Sequence, residues 1–285
     1  MGNILVRIVI SKFGGVKDET INSVIETMEE CYIRLAPHEV SLVDLYVFER
    51  SSSVEAFLAK ECAEVGVASS PFDESFFAMH DAWRGTPRII LCFERMNKLP
   101  GLVKMGGIRH EVGHSILHGS LRYYLLSFPP SLLEIADRFN LPFEYITNVL
   151  YLISIAVKDY EVSRLLYGRG YVEDQVAYAK CLLKVSESDV LSWEVARGNP
   201  PAEVLCLMSC LKAVGCAAPL LIDKKIGEEI KRHLMESLSY LPADLSALLL
   251  KVILERVPSF GKDTLDNIDR MVRECRLIFE AVFRR

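Results

Sequence analysis

The rhythm of apolar residues changes once along this chain, near Ser120, and that change limits the fold more than any other feature. Before it, β-prone runs alternate with helical periodicity: Ile4 to Ile10 as strand, Glu19 to Leu35 as helix, Val40 to Phe48 as strand, Val54 to Glu64 as helix, and Pro87 to Glu94 as a further strand. After it nearly every stretch reads helical, with breaks at Pro129-Pro130, Leu141-Pro142, Gly168 to Gly170, Asn199 to Pro201 and Pro258 to Gly261. The expected fold class is therefore α+β, predominantly helical. A small mixed-sheet lobe over residues 1–120 should end in a distinctive helix, and a helical lobe should occupy 121–285. Gly66 to Gly85, containing SSPFDES with Phe72, Phe76, Phe77 and Trp83, reads as a loop that either borders a cleft or covers the sheet.

With 285 residues, 51% of them hydrophobic, the chain can bury a substantial core, which excludes a disordered protein. Net charge is −5 with acids and bases intermixed, so no basic stripe marks a phosphate-backbone partner and nucleic acid is not an expected ligand. The amino terminus carries Arg7 inside its apolar run and reads as a first strand rather than a signal peptide. Eight cysteines lie scattered, apart from Cys206, Cys210 and Cys216, which suits buried thiols in a reducing cytoplasm. Val204 to Ile222 is apolar for about the length of a membrane span. Lys212 near its centre, where a charge at mid-bilayer costs ~3 kcal/mol, favours a buried helix over membrane association, as do Gly215 and Pro219.

Within the expected helix before Ser120 stands His110-Glu111-Val112-Gly113-His114, an HExxH. Positions four apart share a helical face, so His110 and His114 can hold one ion while Glu111 projects from the adjoining side. Zinc in that position lowers the pKa of its bound water from ~15.7 to about 7, and a carboxylate then takes the proton as the oxygen attacks a polarised carbonyl. The expected activity is hydrolysis of peptide bonds, with a peptide or protein as substrate and Glu111 as base. Ile108, Val112, Ile116 and Leu117 surround the motif with apolar side chains, so a packed element would carry the histidines. PRIILCFE upstream is a candidate for the strand beside which an extended substrate lies. His118 sits two turns from His110, a rise of ~12 Å, too far to share an ion with it. Packing, hydrogen bonding behind the ligands, or helix termination near Gly119 are its expected roles.

HEVGHSILH, residues 110 to 118, resembles the active-site helix of zincin metallopeptidases, most closely the HExGHxxLH form of the ImmA/IrrE-like proteins and some gluzincins. The resemblance implies zinc, His110 and His114 as ligands and Glu111 as base. Leu117 and Ser120 stand where the metzincin pattern has glycine and histidine, which excludes that branch.

A catalytic zinc usually has three protein ligands, so a later element must supply one more. Lys158-Asp159-Tyr160-Glu161-Val162-Ser163-Arg164 resembles the ExxAD or ExxAN segment of those families, with Asp159 in the ligand place, Val162 for alanine and Ser163 for Asp or Asn. Glu161 is the rival. Leu152, Ile155, Ala156, Val162, Ser163 and Leu166 share the helical face of Asp159, so it should point inward. Ser154, Val157, Lys158, Arg164, Leu165 and Gly168 around Glu161 suggest a partly solvated, salt-bridged face. For an oxyanion donor, Tyr123, Tyr124, Tyr160, Tyr167 and Arg109 lie in or near the motifs, with Tyr160 the first to test because it adjoins the proposed ligand.

Two other classes stay open. A zincin-like scaffold could bind metal without general protease activity. LLEIADRFNLPFEYITNVL, residues 132 to 150, has the rhythm of a helix-turn-helix regulator, but its second helix offers no Arg or Lys for phosphates or guanine and should continue toward Asp159.

Overall fold

The computed structural model describes residues 5–65 and 77–285. The elements in the first half are β1 (Arg7–Phe13), α1 (Asp18–Leu35), β2 (Leu42–Phe48), α2 (Ser51–Glu64), β3 (Ala78–Asp81), β4 (Arg88–Cys92), a single turn α3 (Phe93–Met96) and α4 (Gly101–His118). Helices follow: α5 (Pro130–Phe139), α6 (Phe143–Gly168), α7 (Glu173–Leu182), α8 (Glu187–Ala196), α9 (Pro200–Ala217), α10 (Gly227–Ser237), α11 (Ala243–Lys251) and α12 (Thr264–Phe283). The class is α+β, predominantly helical, with one small mixed sheet.

The chain forms two compact units, Met1–Leu125 with Gly168–Tyr178, and Leu126–Tyr167 with Ala179–Arg285. In the first, the sheet order is β1-β2-β4-β3, with β1, β2 and β4 parallel and β3 antiparallel to β4. Three expectations change here. The run PRIILCFE forms β4, but β4 lies inside the sheet with every residue buried, as a continuous apolar run should, and β3 covers its outer side. Ala78–Asp81, expected within a loop, is that edge strand. It lacks β-branched residues, and its pairing comes from the hairpin turn, where Gly85 takes a positive φ of 91° and donates its N–H to the Ala82 carbonyl. Residues 66–76 of the expected loop lie outside the described residues. The first strand runs three residues later than its apolar pattern, because an edge strand half open to solvent carries its ladder on through Ser11 and Lys12.

Alternation separates the two faces of this sheet. Phe48, Ile90 and Cys92 pack with Val54, Phe57 and Leu58 of α2, and Met79 joins them from β3. On that side the buried Arg88 guanidinium forks onto both Glu61 oxygens, at 2.8 Å each, and onto Asp81 at 2.7 Å, tying α2, β3 and β4 together. Across the sheet, α4 packs on β3, β4 and α1. Tyr32 of α1 meets Ser115 of α4 in a buried 2.7 Å hydrogen bond. Glycines let α4 approach its neighbours closely. A Cβ on Gly106 would stand 2.5 Å from the Asp174 carbonyl oxygen, and one on Gly107 would collide with the Phe77 ring. The return segment Gly168–Tyr178 is fastened to α1 and α4 by Arg109, which pairs with Asp174 and Glu30 at 3.0 Å each, and by Tyr171, which donates to Glu30.

In the second unit, α6 extends unbroken from Phe143, within the segment of helix-turn-helix rhythm, to Gly168, and Asn140 closes α5 in the left-handed conformation that asparagine tolerates. The apolar run over Val204 to Ile222 is α9 continued by a short 3-10 turn. It is long and apolar enough to cross a membrane. Val204, Leu207, Met208, Leu211 and Val214 nevertheless form one buried stripe, and Gly215 lets α9 meet α6 at the Ala156 carbonyl.

Candidate metal centre

The three named residues of the HExxH, His110, Glu111 and His114, are all buried on α4. Helical spacing brings the two rings edge to face, and His110 Nε2 lies 3.1 Å from His114 Nε2. Two nitrogens that each bind a tetrahedral zinc at ~2.0–2.1 Å stand about 3.3 Å apart, so this pair fits one ion with a shift of tenths of an ångström. Neutral imidazole suits zinc as a ligand type.

The opposite nitrogen of His114 is also engaged. His114 Nδ1 lies 3.1 Å from His118 Nδ1, and His118 is fully buried with Tyr123 edge-on against its ring. If His114 gives its Nε2 lone pair to a metal, its proton sits on Nδ1 and is donated to His118, which fixes the ligand's tautomer and ring plane. Burial against Tyr123 matches the packing role expected for His118. Tyr178 packs at 5.3 Å beside His110.

One residue of this unit escaped the sequence reading. His80, on edge strand β3, lies parallel to the His114 ring, with centroids 5.9 Å apart and planes 9° from each other. Its Nδ1 is 3.1 Å from the Tyr124 hydroxyl. The turn signal Trp83-Arg84-Gly85-Thr86-Pro87 just before a strongly β-prone run could have revealed the hairpin, and with it a histidine one strand away from the motif. Arg109, by contrast, is committed to Glu30 and Asp174.

In the second unit, Asp159 is buried, as its helical neighbours predicted. Glu161 departs from expectation. It is buried rather than solvated, accepting hydrogen bonds from Thr264 Oγ1 at 2.8 Å and Asn267 Nδ2 at 2.5 Å, so it anchors the first turn of α12 to α6. The pattern of side chains along α6 could not reveal partners about a hundred residues away. Tyr160 packs edge-on against Phe260, with the Arg164 guanidinium over its ring, and burial pushes its phenol above the ordinary range. Burial likewise pushes the Lys158 ammonium below its ordinary range. Tyr167 donates to Asp223 at 2.8 Å. Cys206 and Cys210 are half-buried rather than buried, with the Cys210 thiol 3.4 Å from the Tyr240 hydroxyl, while Cys216 is buried.

No family model, curated protein or solved structure matches this chain.

Proposed function

We propose that this chain is a zinc-dependent metallopeptidase of gluzincin-like organisation, acting in the cytoplasm on a peptide or protein substrate. The observation that carries the reading is the convergence of His110 and His114 through their Nε2 atoms, 3.1 Å apart on a buried helix that also bears Glu111. Asp159 is the proposed third ligand, on the strength of its motif position and its burial. Tyr160 is the sequence-based candidate for the oxyanion contact. Eight cysteines without a disulfide suit the proposed compartment.

Zinc bound there would acidify water to a pKa of about 7 and polarise the scissile carbonyl. Glu111 takes the proton of the attacking water and hands it to the departing amine, so one carboxylate serves as base and then as acid. His118 accepts the Nδ1 proton of His114 and keeps that ring in plane. The same histidines would serve a metal-binding protein without protease activity, but a carboxylate inside the motif at the position of Glu111 has its natural use in proton transfer.

The test is hydrolysis of a quenched peptide library by the zinc-loaded protein and by Glu111→Gln. Losing a general base costs about 10²–10⁴ in rate. The variant should therefore lose turnover by that factor while keeping its zinc. Equal turnover by the two proteins would refute the assignment of Glu111.

A further inference from the structure

Beside the proposed ligand His114, the first unit holds a further imidazole, that of His80. We propose that His80 donates its Nε2–H to the oxyanion that develops on the substrate carbonyl, with Tyr124 as the positioning residue that fixes its tautomer; this role rests on the peptidase reading above.

Along β3, Ala78 and His80 alternate with Met79 and Asp81, so His80 faces α4 while Asp81 faces α2. The parallel stack on His114 holds His80 one ring's distance from a proposed ligand. β3 is also the sheet edge among the described residues, and an extended peptide that adds to such an edge runs directly past its side chains. A carbonyl of that peptide approaching the nitrogens of His110 and His114 would pass beside His80. The strand itself is held: Asp81, the next residue, is bound by the buried Arg88, whose guanidinium also grips Glu61. Donors that must meet a developing charge need this rigidity, because their worth depends on needing no reorganisation.

Tyr124 Oη lies within hydrogen-bond distance of His80 Nδ1, at 3.1 Å. A phenol, with a pKa near 10, is a far stronger acid than the N–H of a neutral imidazole. With the hydroxyl as the donor to Nδ1, the ring carries its own proton on Nε2. An Nε2–H is a donor to an oxyanion and has no lone pair for a metal. His80 keeps that proton throughout; no bond to it is made or broken.

The experiment combines three readouts on zinc-loaded wild type, His80→Ala, His80→Gln, Tyr124→Phe and Tyr160→Phe: zinc per chain, steady-state cleavage of a peptide, and the ¹⁵N shifts of labelled histidine. Removing one oxyanion donor costs about 10²–10³ in kcat. His80→Ala should show that loss with KM changed only a few-fold and zinc retained. His80→Gln, which keeps an N–H, should recover part of the rate. Wild type should show His80 as the Nε2–H tautomer, and Tyr124→Phe should disturb it. Zinc loss in His80→Ala, or an Nδ1–H tautomer in wild type, would overturn the proposal by making His80 a ligand. Full kcat in His80→Ala, or a loss confined to Tyr160→Phe, would overturn it as well. A zinc-loaded wild type that cleaves nothing would fail the peptidase reading and take this role with it, a result distinct from the others because the tautomer and zinc readouts need no turnover.

Discussion

His114 and His118 face each other through their Nδ1 atoms, 3.1 Å apart, while the Nε2 of His114 meets His110 at the same distance. Three histidines on successive turns of one helix thus form a line; in the proposed metal centre the first two share an ion and the third would fix the tautomer of the second. Partners behind a metal ligand are worth about 10–100-fold in metal affinity. His118→Ala should weaken zinc binding by that factor in a chelator competition without changing the stoichiometry at saturating metal. An unchanged Kd would mean that His118 serves packing alone.

Gly106 is expected to resist the usual gain from alanine in a helix. Replacing an interior helical glycine by alanine is worth about 1 kcal/mol in propensity. Here the new methyl would stand 2.5 Å from the backbone oxygen of Asp174, which cannot rotate away, and 2.8 Å from Tyr178 Cβ. Overpacking of this kind costs about 1–3 kcal/mol and should win. Gly106→Ala should therefore lower the Tm, while Gly101→Ala, with nothing within 4 Å of the added carbon, should not. Chemical or thermal unfolding of the two variants checks the sign.

The Arg88 cluster predicts a larger loss. Glu61 and Asp81 are both buried, and each depends on the same guanidinium, assisted at Glu61 by Arg84. Desolvation pushes the Asp81 carboxyl above its ordinary range even with Arg88 beside it. Breaking a buried pair by removing one partner costs about 3–5 kcal/mol, because the charge left behind has no compensation. Arg88→Met should destabilise by about that amount in urea unfolding. A change under 1 kcal/mol would show that solvent reaches the two acids.

Asp223 gives the pH prediction. It accepts the backbone N–H of Lys225 at 2.7 Å and of Ile226 at 3.2 Å, and the Tyr167 hydroxyl at 2.8 Å, and these bonds hold its carboxyl below the ordinary range. A folded-state pKa below the unfolded one means that the unfolded chain binds the proton first. The stabilisation is therefore complete above the ordinary carboxylate pKa and disappears as pH falls through the lower folded value. Asp223→Asn should be less stable than wild type at neutral pH, with the gap closing in acid. A gap independent of pH between neutrality and strong acid would contradict this.

How far the sequence alone could lead differs from one element to the next. The α1 and α2 helices and the β2 and β4 strands follow from apolar periodicity because each buries a defined face. His110, Glu111 and His114 were legible because their spacing is local to one helix, and helical geometry alone brings the two imidazoles together. His80 and Glu161 were not. The position of His80 depends on hairpin pairing of a four-residue strand with no β-branched residue, and the burial of Glu161 depends on Thr264 and Asn267, far along the chain. Periodicity reports which face is buried, and it carries no information on which distant residue buries it.

The central claim is tested most directly by zinc content per chain, measured after dialysis against metal-free buffer for wild type, His110→Ala, Asp159→Ala and Glu161→Ala, each checked for folding. The account predicts one zinc per chain in wild type, its loss in His110→Ala and Asp159→Ala, and its retention in a folded Glu161→Ala, whose carboxylate serves α12. No zinc in wild type even after reconstitution, or full zinc in His110→Ala, would contradict it.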